Sequence, residues 1–288
     1  MPQAINTNLV SLNAQRNLSM SQSALSLSMQ RLSSGLRVNS AKDDAAGLAI
    51  AERMNAQARG MNVAIRNSND GISMSQTAEG ALGKVGDAMQ RMRELAVQAR
   101  NASNSSSDLD SLDKEFGELS KEVQRVLGGT TFNGKHIIGS DAGTLTFQVG
   151  ANTSANDTID IVTTNLTGAA EIISVAGMDN AGTGRPVIDS TANTTSIGNV
   201  ITAIDAAIDR INSERAVLGA NQSRFESVIS SLQVAVENQT AAKSRIMDAD
   251  YAAETANLSR AQILQQAGNA MVAQANALPN QVLKLLQG

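Results

Sequence analysis

The spacing of apolar positions predicts long helices over most of the chain. The clearest repeat lies between Ile204 and Ile246, where apolar residues alternate at intervals of four and three. Its members are Ile204, Ile208, Ile211, Leu218, Phe225, Ile229, Leu232 and Val236. Polar residues take the apolar place at Arg215, Gln222, Gln239 and Lys243. A heptad repeat puts a narrow apolar stripe on one helix face. A helix about 65 Å long cannot be wrapped by a compact core, so we expect equally long partner helices from this chain or from other copies.

Both ends of the chain predict amphipathic helices with narrow apolar stripes. The two stripes consist of Leu18, Leu25, Met29, Leu32 and Leu36 near the N-terminus and of Leu264, Met271, Leu278 and Leu285 near the C-terminus. The flanking residues are mostly Ser, Gln, Asn and Ala, so each helix alone buries little apolar surface. Helix breaks are expected at 35–40 and 247–250, and Pro279 is expected to interrupt or kink the last helix. The simplest arrangement pairs the two terminal helices antiparallel.

Two further helices are predicted between these ends. One runs from about Ala41 to Asn101, behind a Ser40 and Asp43 pair that resembles a capping box. Glycines inside it predict a bend or a close helix contact, and they are Gly71, Gly80, Gly83 and Gly86. The other helix starts near Leu109, and the pair Gly128-Gly129 is expected to end it as a glycine C-cap.

The period changes after the third helix. Leu145, Phe147 and Val149 alternate with polar residues, and so do Ile159 and Ile161, which predicts a β-hairpin. The segment 165–199 is rich in Gly, Thr, Asn and Ala without a clear period, and we expect a small outer piece of strands and loops. The predicted fold class is mainly α: a long antiparallel coiled-coil helical bundle built from both termini, with a small β-rich insert in the middle.

Composition supports thin helical seams over a thick core. The chain has 288 residues, of which 42% are hydrophobic and 2% aromatic. The net charge of −4 provides no basic field for nucleic acid. The absence of cysteine excludes disulfides, thiol chemistry and cysteine metal sites. The first residues, Met1 to Asn6, lack the pattern of a conventional signal peptide, and no apolar run is long enough for a membrane span.

No residue pattern predicts catalysis, a metal site or a cofactor. Gly129 to Lys135 nearly matches a phosphate-binding loop, but His136 follows where a Ser or Thr would hold magnesium, and a helix precedes it instead of a strand. We interpret the segment as an Asn133-Gly134 turn. The lone His136 is expected at the surface. The acidic pairs at 43–44 and 248–250 lie at helix boundaries, where carboxylates stabilise helix N-termini. We therefore expect a protein that is not an enzyme.

Several long runs resemble the flagellin family, the filament protein of the bacterial flagellum. These runs are INTN at 5–8, LSSGLRVNSAKDDAAG at 32–47, QRMRELAVQ at 90–98, FNG at 132–134, AETAN at 253–257 and QILQQAG at 262–268. The resemblance covers about residues 1–165 and 200–286. It implies three parts: terminal helices at 1–44 and 248–288 that form the inner filament core, a rod-like domain with the hairpin at 45–175 and 195–247, and a short solvent-facing variable insert at 165–199.

The resemblance also implies partners and a location. It implies a structural subunit of the motility filament that polymerises with other copies, is exported unfolded through the flagellar type III apparatus, and ends as a secreted, extracellular filament. Expected partners are an export chaperone, the filament cap and the hook-junction proteins. By motif it further implies that a host Toll-like receptor of innate immunity contacts Arg91, Leu95, Gln98 and Glu115. The same face could instead pack against a neighbouring subunit.

Two other functions stay open at this point. The hook–filament junction protein of the same system shares the terminal helices, although it does not polymerise at length. A secreted adhesin or immune ligand would act as a monomer. Growth of long filaments from a seed distinguishes a filament subunit from both, because heterologous contacts that do not close produce open helical filaments.

Overall fold

The structure is a computed structural model that describes the backbone of residues 7–286 and the side chains of residues 7–277. Six helices account for most of it, and they are α1 (Leu9–Ser34), α2 (Ala45–Ala99), α3 (Ser106–Gly129), α4 (Ala170–Ala176), α5 (Thr194–Met247) and α6 (Tyr251–Leu286). Four strands lie between α3 and α4, and they are β1 (Thr131–Phe132), β2 (Lys135–His136), β3 (Thr144–Gln148) and β4 (Thr158–Val162). The mainly α class with a small strand-containing middle region is confirmed.

The chain divides into two compact units. One contains residues 1–56 and 237–288, and the other contains residues 57–236. We call the second one the middle unit. Its core runs along α2, α3 and α5 and includes the fully buried side chains of Leu82, Met89, Phe116, Ile204 and Phe225. These residues repeat at heptad intervals, so the predicted seam of α5 faces this core as far as Phe225.

In the middle unit, α2 is the long antiparallel partner that the α5 repeat requires. Arg93 pairs with Asp205 at one level, and Gln222 donates to Glu79 at another. Two polar positions of the seam thus meet the same α2 carboxylate, because Arg215 also lies 3.9 Å from Glu79. At Gly71 the helices approach closely, because a Cβ there would lie 2.7 Å from the Phe225 ring. Gly80, Gly83 and Gly86 have open space instead. The prediction of a close contact is therefore confirmed at one of the four glycines.

Several helix boundaries differ from the predictions. The second helix begins at Ala45 because Asp43 bonds back to the N–H groups of Asn39 and Ser40, which closes a turn ahead of the helix. Asp44 then caps α2 by accepting the Gly47 N–H. The third helix does end at Gly129, but the glycine C-cap is wrong, since Thr130 caps it in extended conformation. The last helix is assigned through Pro279 to Leu286.

The β region agrees with its alternation. Strands β3 and β4 pair antiparallel, with Leu145 opposite Ile161 and Phe147 opposite Ile159. Strands β1 and β2 form a separate hairpin whose turn, Asn133-Gly134, has positive φ at both residues. This geometry is typical of a type I′ turn. The turn interpretation of the loop-like motif is confirmed.

The strands predicted within 165–199 are wrong. This segment forms α4, loops and the start of α5. It also contributes to the middle core, because Leu166, Ile172 and Ile188 are fully buried. The segment attaches to α3 through buried hydrogen bonds from Ser120 to the Ala176 carbonyl and from Gln124 to the Gly177 carbonyl. Its irregular composition gave no period, so the packing could not be recognised from spacing.

Candidate functional site

Helices α1 and α6 form an antiparallel pair, which we call the terminal pair. The Asn8 side chain is bonded to both helices: its oxygen accepts the Ser11 N–H to cap α1, and its Nδ2 donates to the Ala275 carbonyl at 2.7 Å. At the other end, Arg31 lies 3.9 Å from the buried carboxylate of Glu254. The predicted pairing of the two ends within one chain is therefore present.

The fully buried positions inside the terminal pair are occupied mainly by small side chains, whereas Leu18, Leu25 and Leu32 are half-buried there. The buried residues are Ser11 and Ser28 on α1 and Ala261 and Ala275 on α6, together with Glu254. Midway along, Gly268 admits Leu18, since a Cβ there would lie 3.1 Å from the leucine Cδ1. Small residues let two helices approach closely, but they remove little apolar surface from water.

The stripe of α6 that faces α1 was missed from the sequence. It is the heptad series Ala261, Gly268 and Ala275, whereas the search for apolar repeats selected the large residues beside it. A search for small residues at intervals of seven would have found this stripe. The pairing partner on α1 follows the series that begins at Ser11 and continues through Leu18.

Several large apolar side chains of the terminal pair remain in solvent. Leu9 is 71% exposed, Leu264 51% and Met271 61%. They border two adjoining grooves between the helices that share Asn17, Ser21 and Leu264, and the large apolar residues of this joint lining are Leu9, Leu18, Met20, Leu27, Leu264 and Met271. We call the two together the terminal groove. Single exposed apolar residues are ordinary on protein surfaces, but a continuous row marks an interaction surface.

The predicted packing residues fall into two sets. Leu18, Leu25, Leu32 and Leu36 are half-buried, the first three of them on α1 itself. Met29, Leu264 and Met271 are exposed. Leu278 and Leu285 lie outside the residues whose side chains the structure describes. The predicted residues thus include some that reach the partner helix of the same chain and some that are free to meet another molecule.

The two linkers that flank the terminal pair are bonded to each other. Gly35 ends α1 in the left-handed conformation, with φ of 71°. The following residues pair with the α5–α6 linker: the Arg37 N–H donates to the Met247 carbonyl, and the Ala249 N–H donates to the Gly35 carbonyl. Val38 and Met247 are buried beside them in a small separate cluster. The break after α1 and the break before α6 therefore lie side by side, joined by backbone hydrogen bonds.

Of the four predicted receptor contacts, three lie on the surface of the middle unit. Arg91 forms ion pairs with Glu115 and Glu94, at 2.8 and 2.9 Å, and Gln98 is exposed on the same helix. The hydrogen bonds that Arg91 donates to Glu94 and Glu115 raise the pKa of its guanidinium. Leu95 is fully buried in the middle core, so its side chain cannot touch a receptor in this fold. The motif resemblance names these residues but contains no information on how deeply each side chain is buried.

A buried ion pair fastens the irregular loop of the middle unit. Arg185 makes a two-pronged contact with Asp113, and the Ile188 N–H donates to the same carboxylate. Burial alone would raise the pKa of Asp113, but the hydrogen bonds and charge of Arg185 lower it below its usual value. Gly117 makes room for the guanidinium, which would lie 3.1 Å from a Cβ there. Sequence reasoning did not identify this pair, because its partners are 72 residues apart.

The described residues contain no candidate centre for metal chemistry, as none of their acidic or histidine side chains form a group of three suited to a metal ion. Within the same residues, no helix is long and apolar enough to cross a membrane. His136 sits in strand β2, where its N–H donates to Asp141. The acidic residues near 43 and 108 form helix-start turns with Ser40 and Ser105. Their geometry is that of structural caps.

Two family models match the chain. The one for the bacterial flagellin N-terminal helical region matches residues 5–144, and the one for the bacterial flagellin C-terminal helical region matches residues 201–286. A flagellin of Halalkalibacterium halodurans is 42% identical over 283 residues, which cover 98% of this chain and 99% of that relative. A flagellin of Bacillus subtilis is 41% identical over 302 residues, which cover 98% and 99%.

The similarity extends to a solved structure. The crystal structure of Bacillus cereus flagellin matches at 28% identity with a TM-score of 0.47, and the match covers 58% of this chain and 88% of that one.

Proposed function

The chain belongs to the bacterial flagellin family and is a structural subunit of the flagellar filament, not an enzyme; from that premise we propose that the terminal groove is the surface by which copies of the chain join. Flagellins polymerise with other copies of themselves. The observation that carries the proposal is the row of exposed large apolar residues, led by Leu9 and Met271, on a pair that buries mainly small ones. A second copy is the occupant that a homopolymer supplies.

The energetics favour this use of the groove. The terminal pair alone buries mainly alanine and serine completely and covers Leu18, Leu25 and Leu32 only in part, which provides little compensation for the entropy of ordering two helices. Each large apolar side chain that passes from solvent into a contact contributes about 1.5–3 kcal/mol. We expect the pair to be weakly stable in the free subunit and firmly ordered once neighbouring copies cover it. The apolar residues of the groove are uncharged, so we expect their contribution to assembly to tolerate salt, whereas Arg31, Glu254 and Arg260 add charges to part of the lining.

The domain arrangement that fits this role follows the helix breaks. We propose that 1–44 and 248–288 form the inner filament core, that 45–175 and 195–247 form the surrounding rod-like part, and that 165–199 is the variable part. The support for these limits is the position of the two bonded linkers, at Gly35 to Val38 and Met247 to Ala249.

Truncation tests the proposal. Removal of residues 1–40 or 250–288 should abolish seeded filament growth, as seen by electron microscopy, while the middle unit keeps its helical circular dichroism. Limited proteolysis of the full-length free subunit should remove the same ends first. Long filaments from either truncated chain would refute the proposal. Full-length protein that caps seeds without elongating them would favour the hook–filament junction alternative.

The proposal extends to export and to the ends of the filament. We propose that a cytoplasmic chaperone covers the C-terminal helix before the chain is secreted through the flagellar type III apparatus. The exposed face of α6, with Ile263 and Leu264, would otherwise promote early association. The filament cap and hook-junction proteins would meet the same terminal helices at the two filament ends. In a competition assay, a peptide of residues 250–288 added to the complex of the full-length chain with the chaperone should displace the chain from the chaperone.

A second proposed function is recognition by a host Toll-like receptor through Arg91, Gln98 and Glu115. The observation in its favour is that Arg91 is exposed yet fixed by two carboxylates, so its guanidinium is already oriented. Arg91→Ala and Glu115→Ala should each weaken binding of the receptor ectodomain to the monomer by about tenfold. Arg125→Ala, which breaks the comparable surface pair with Glu122, is the matched control. Equal binding by all three variants would refute this function.

A further inference from the structure

The described methionines range from fully buried to largely exposed, with Met54 and Met61 half-buried between these extremes. Met74, Met89 and Met92 are buried in the middle unit. Met20 and Met271 are 57% and 61% exposed in the terminal groove, and Met178 is 66% exposed in the middle unit. The chain has no cysteine, so methionine is its sole source of reactive sulfur.

The groove methionines have apolar surroundings. Met20 lines the groove with Leu27 and Leu264, and Met271 lines it with Leu9 and Leu18. Met29 lies nine residues after Met20 and thus about 180° around α1, away from the groove. Two thioethers therefore lie where an arriving copy would bring apolar atoms, and a third, equally exposed thioether lies outside.

We propose that Met20 and Met271 are oxidation sites that determine whether a free subunit can assemble, an inference that rests on the groove being covered by another copy. Hydrogen peroxide that reaches the free subunit would oxidise both thioethers, and the oxidised subunit would not join the filament. After assembly the neighbouring copy shields them. The groove would thus accept reduced subunits and reject oxidised ones.

The chemistry is a two-electron oxidation by hydrogen peroxide. A sulfur lone pair attacks one peroxide oxygen, the O–O bond breaks, and the second oxygen leaves as hydroxide that takes up a proton to give water. The methionine becomes a sulfoxide with one new S–O bond, and the peroxide is reduced. The reaction turns a flexible apolar side chain into a polar one. Burial of the sulfoxide oxygen without a donor disfavours the contact.

The test compares full-length protein with three leucine variants, because Leu and Met have similar volume and helix propensity. The variants are Met20→Leu with Met271→Leu, Met29→Leu alone, and Met178→Leu alone. Each is treated with hydrogen peroxide, quenched, and added to filament seeds, and the critical concentration for growth is measured. Peptide mass spectrometry gives the oxidised fraction at each methionine.

We expect oxidation to raise the critical concentration of the unmodified sequence, Met29→Leu and Met178→Leu by about tenfold or more. The double variant should assemble as it does without peroxide. A methionine sulfoxide reductase should restore assembly of the oxidised chain. Rescue by Met29→Leu, or inhibition of the double variant, would overturn the assignment of the two sites.

A protection experiment gives a second measure. In intact filaments Met20 and Met271 should oxidise at least about tenfold more slowly than in the free subunit, as buried thioethers do, while Met178 should change little. Equal rates at the groove sites in both states would overturn the proposal. Failure of the proposed function itself would look different: untreated protein would then assemble after truncation of its ends.

Discussion

The middle core and the terminal pair are both built from heptad helices, but they differ in the size of the side chains that they bury completely. The middle core encloses Phe116, Phe225 and Leu82 completely. The terminal pair encloses Ser11, Ala261 and Ala275, and it leaves Leu9 and Met271 in solvent. In the middle unit, three helices and a hairpin enclose the core. In the terminal pair, only α1 and α6 face each other.

The difference shows that a heptad stripe specifies contact but not the partner that supplies it. In the middle unit the chain itself supplies the partners that cover the large core residues, so the stability of this core is intramolecular. In the terminal pair two helices present more apolar surface than they can cover. The remainder depends on protein concentration, as expected for subunits whose order comes with assembly.

Phe225→Ala should have the largest effect, and it should fall on the middle unit. The ring packs against Gly71 and meets Phe147 edge-on at 5.7 Å between centroids. Its loss should leave a cavity and cost about 3–5 kcal/mol of unfolding free energy. Chemical denaturation followed by circular dichroism measures it. Leu264→Ala is the control: if it destabilises the free subunit as much, the contrast between the two regions fails.

Asp113→Asn should come next, with a loss of about 3 kcal/mol, because it leaves the Arg185 charge without its partner in a site mostly removed from solvent. The same contact predicts acid sensitivity. The folded pKa of Asp113 lies below its usual value of 3.8. Its contribution to stability is therefore complete above that value and lost as the pH falls through the lower folded pKa.

Hydrogen exchange in the loop at 177–190 checks the acid prediction. The loop should lose protection below about pH 3.8 in the unmodified chain, earlier than the helices of the middle unit. In Asp113→Asn it should be unprotected already at neutral pH, with no further step on acidification. A loop that stays protected in the variant would show that the ion pair does not fasten it.

Leu264→Asp should weaken assembly and leave folding intact. The charge enters the terminal groove, where burial against another copy would strip its water, and the critical concentration should rise about tenfold or more. Unfolding of the middle unit should be unchanged. Leu264→Met keeps the apolar volume and should assemble normally. Filaments of ordinary length from the aspartate variant would argue that the groove is not a joining surface.

Gly71→Ala and Gly83→Ala should have small effects of opposite sign. At Gly71 the added Cβ would meet the Phe225 ring at 2.7 Å, so overpacking should cost about 1–2 kcal/mol despite better helix propensity. At Gly83 the space is open, and alanine should stabilise α2 by about 0.5–1 kcal/mol. Denaturant midpoints measure both. Two shifts of the same sign would contradict the close contact at Gly71.

The parts of the fold that could be predicted are those with a regular period. The seam from Ile204 to Phe225 and the alternation of Leu145 with Phe147 specify which face is buried, because periods of 3.5 and 2 are geometric consequences of helix and strand. The segment that contains Ile172 and Ile188 has no regular spacing of apolar residues. Its place is determined by Arg185 reaching Asp113, a contact between distant positions that no local pattern signals.

At the candidate site, apolar spacing again predicted the stripe residues but not what lies opposite them. Leu18 and Leu264 were recognised as stripe residues, but Gly268, which decides how closely the helices approach, is not apolar and was passed over. Leu95 was named as a receptor contact from the family motif, although its side chain is fully buried in the middle core. Burial depends on what lies opposite a residue, and spacing within one helix contains no information on that.

The Asn8 contact has a consequence for folding during synthesis of the chain. Its side chain joins a carbonyl 267 positions further along, so the opening helix has no partner until synthesis is almost finished. Helix α2, α3 and the hairpin can settle from nearby contacts while the ribosome still works, since short-range contacts form first. The helix that is synthesised first is therefore among the last to pack. In a prematurely terminated polypeptide, α1 would lack the α6 partner that it packs against.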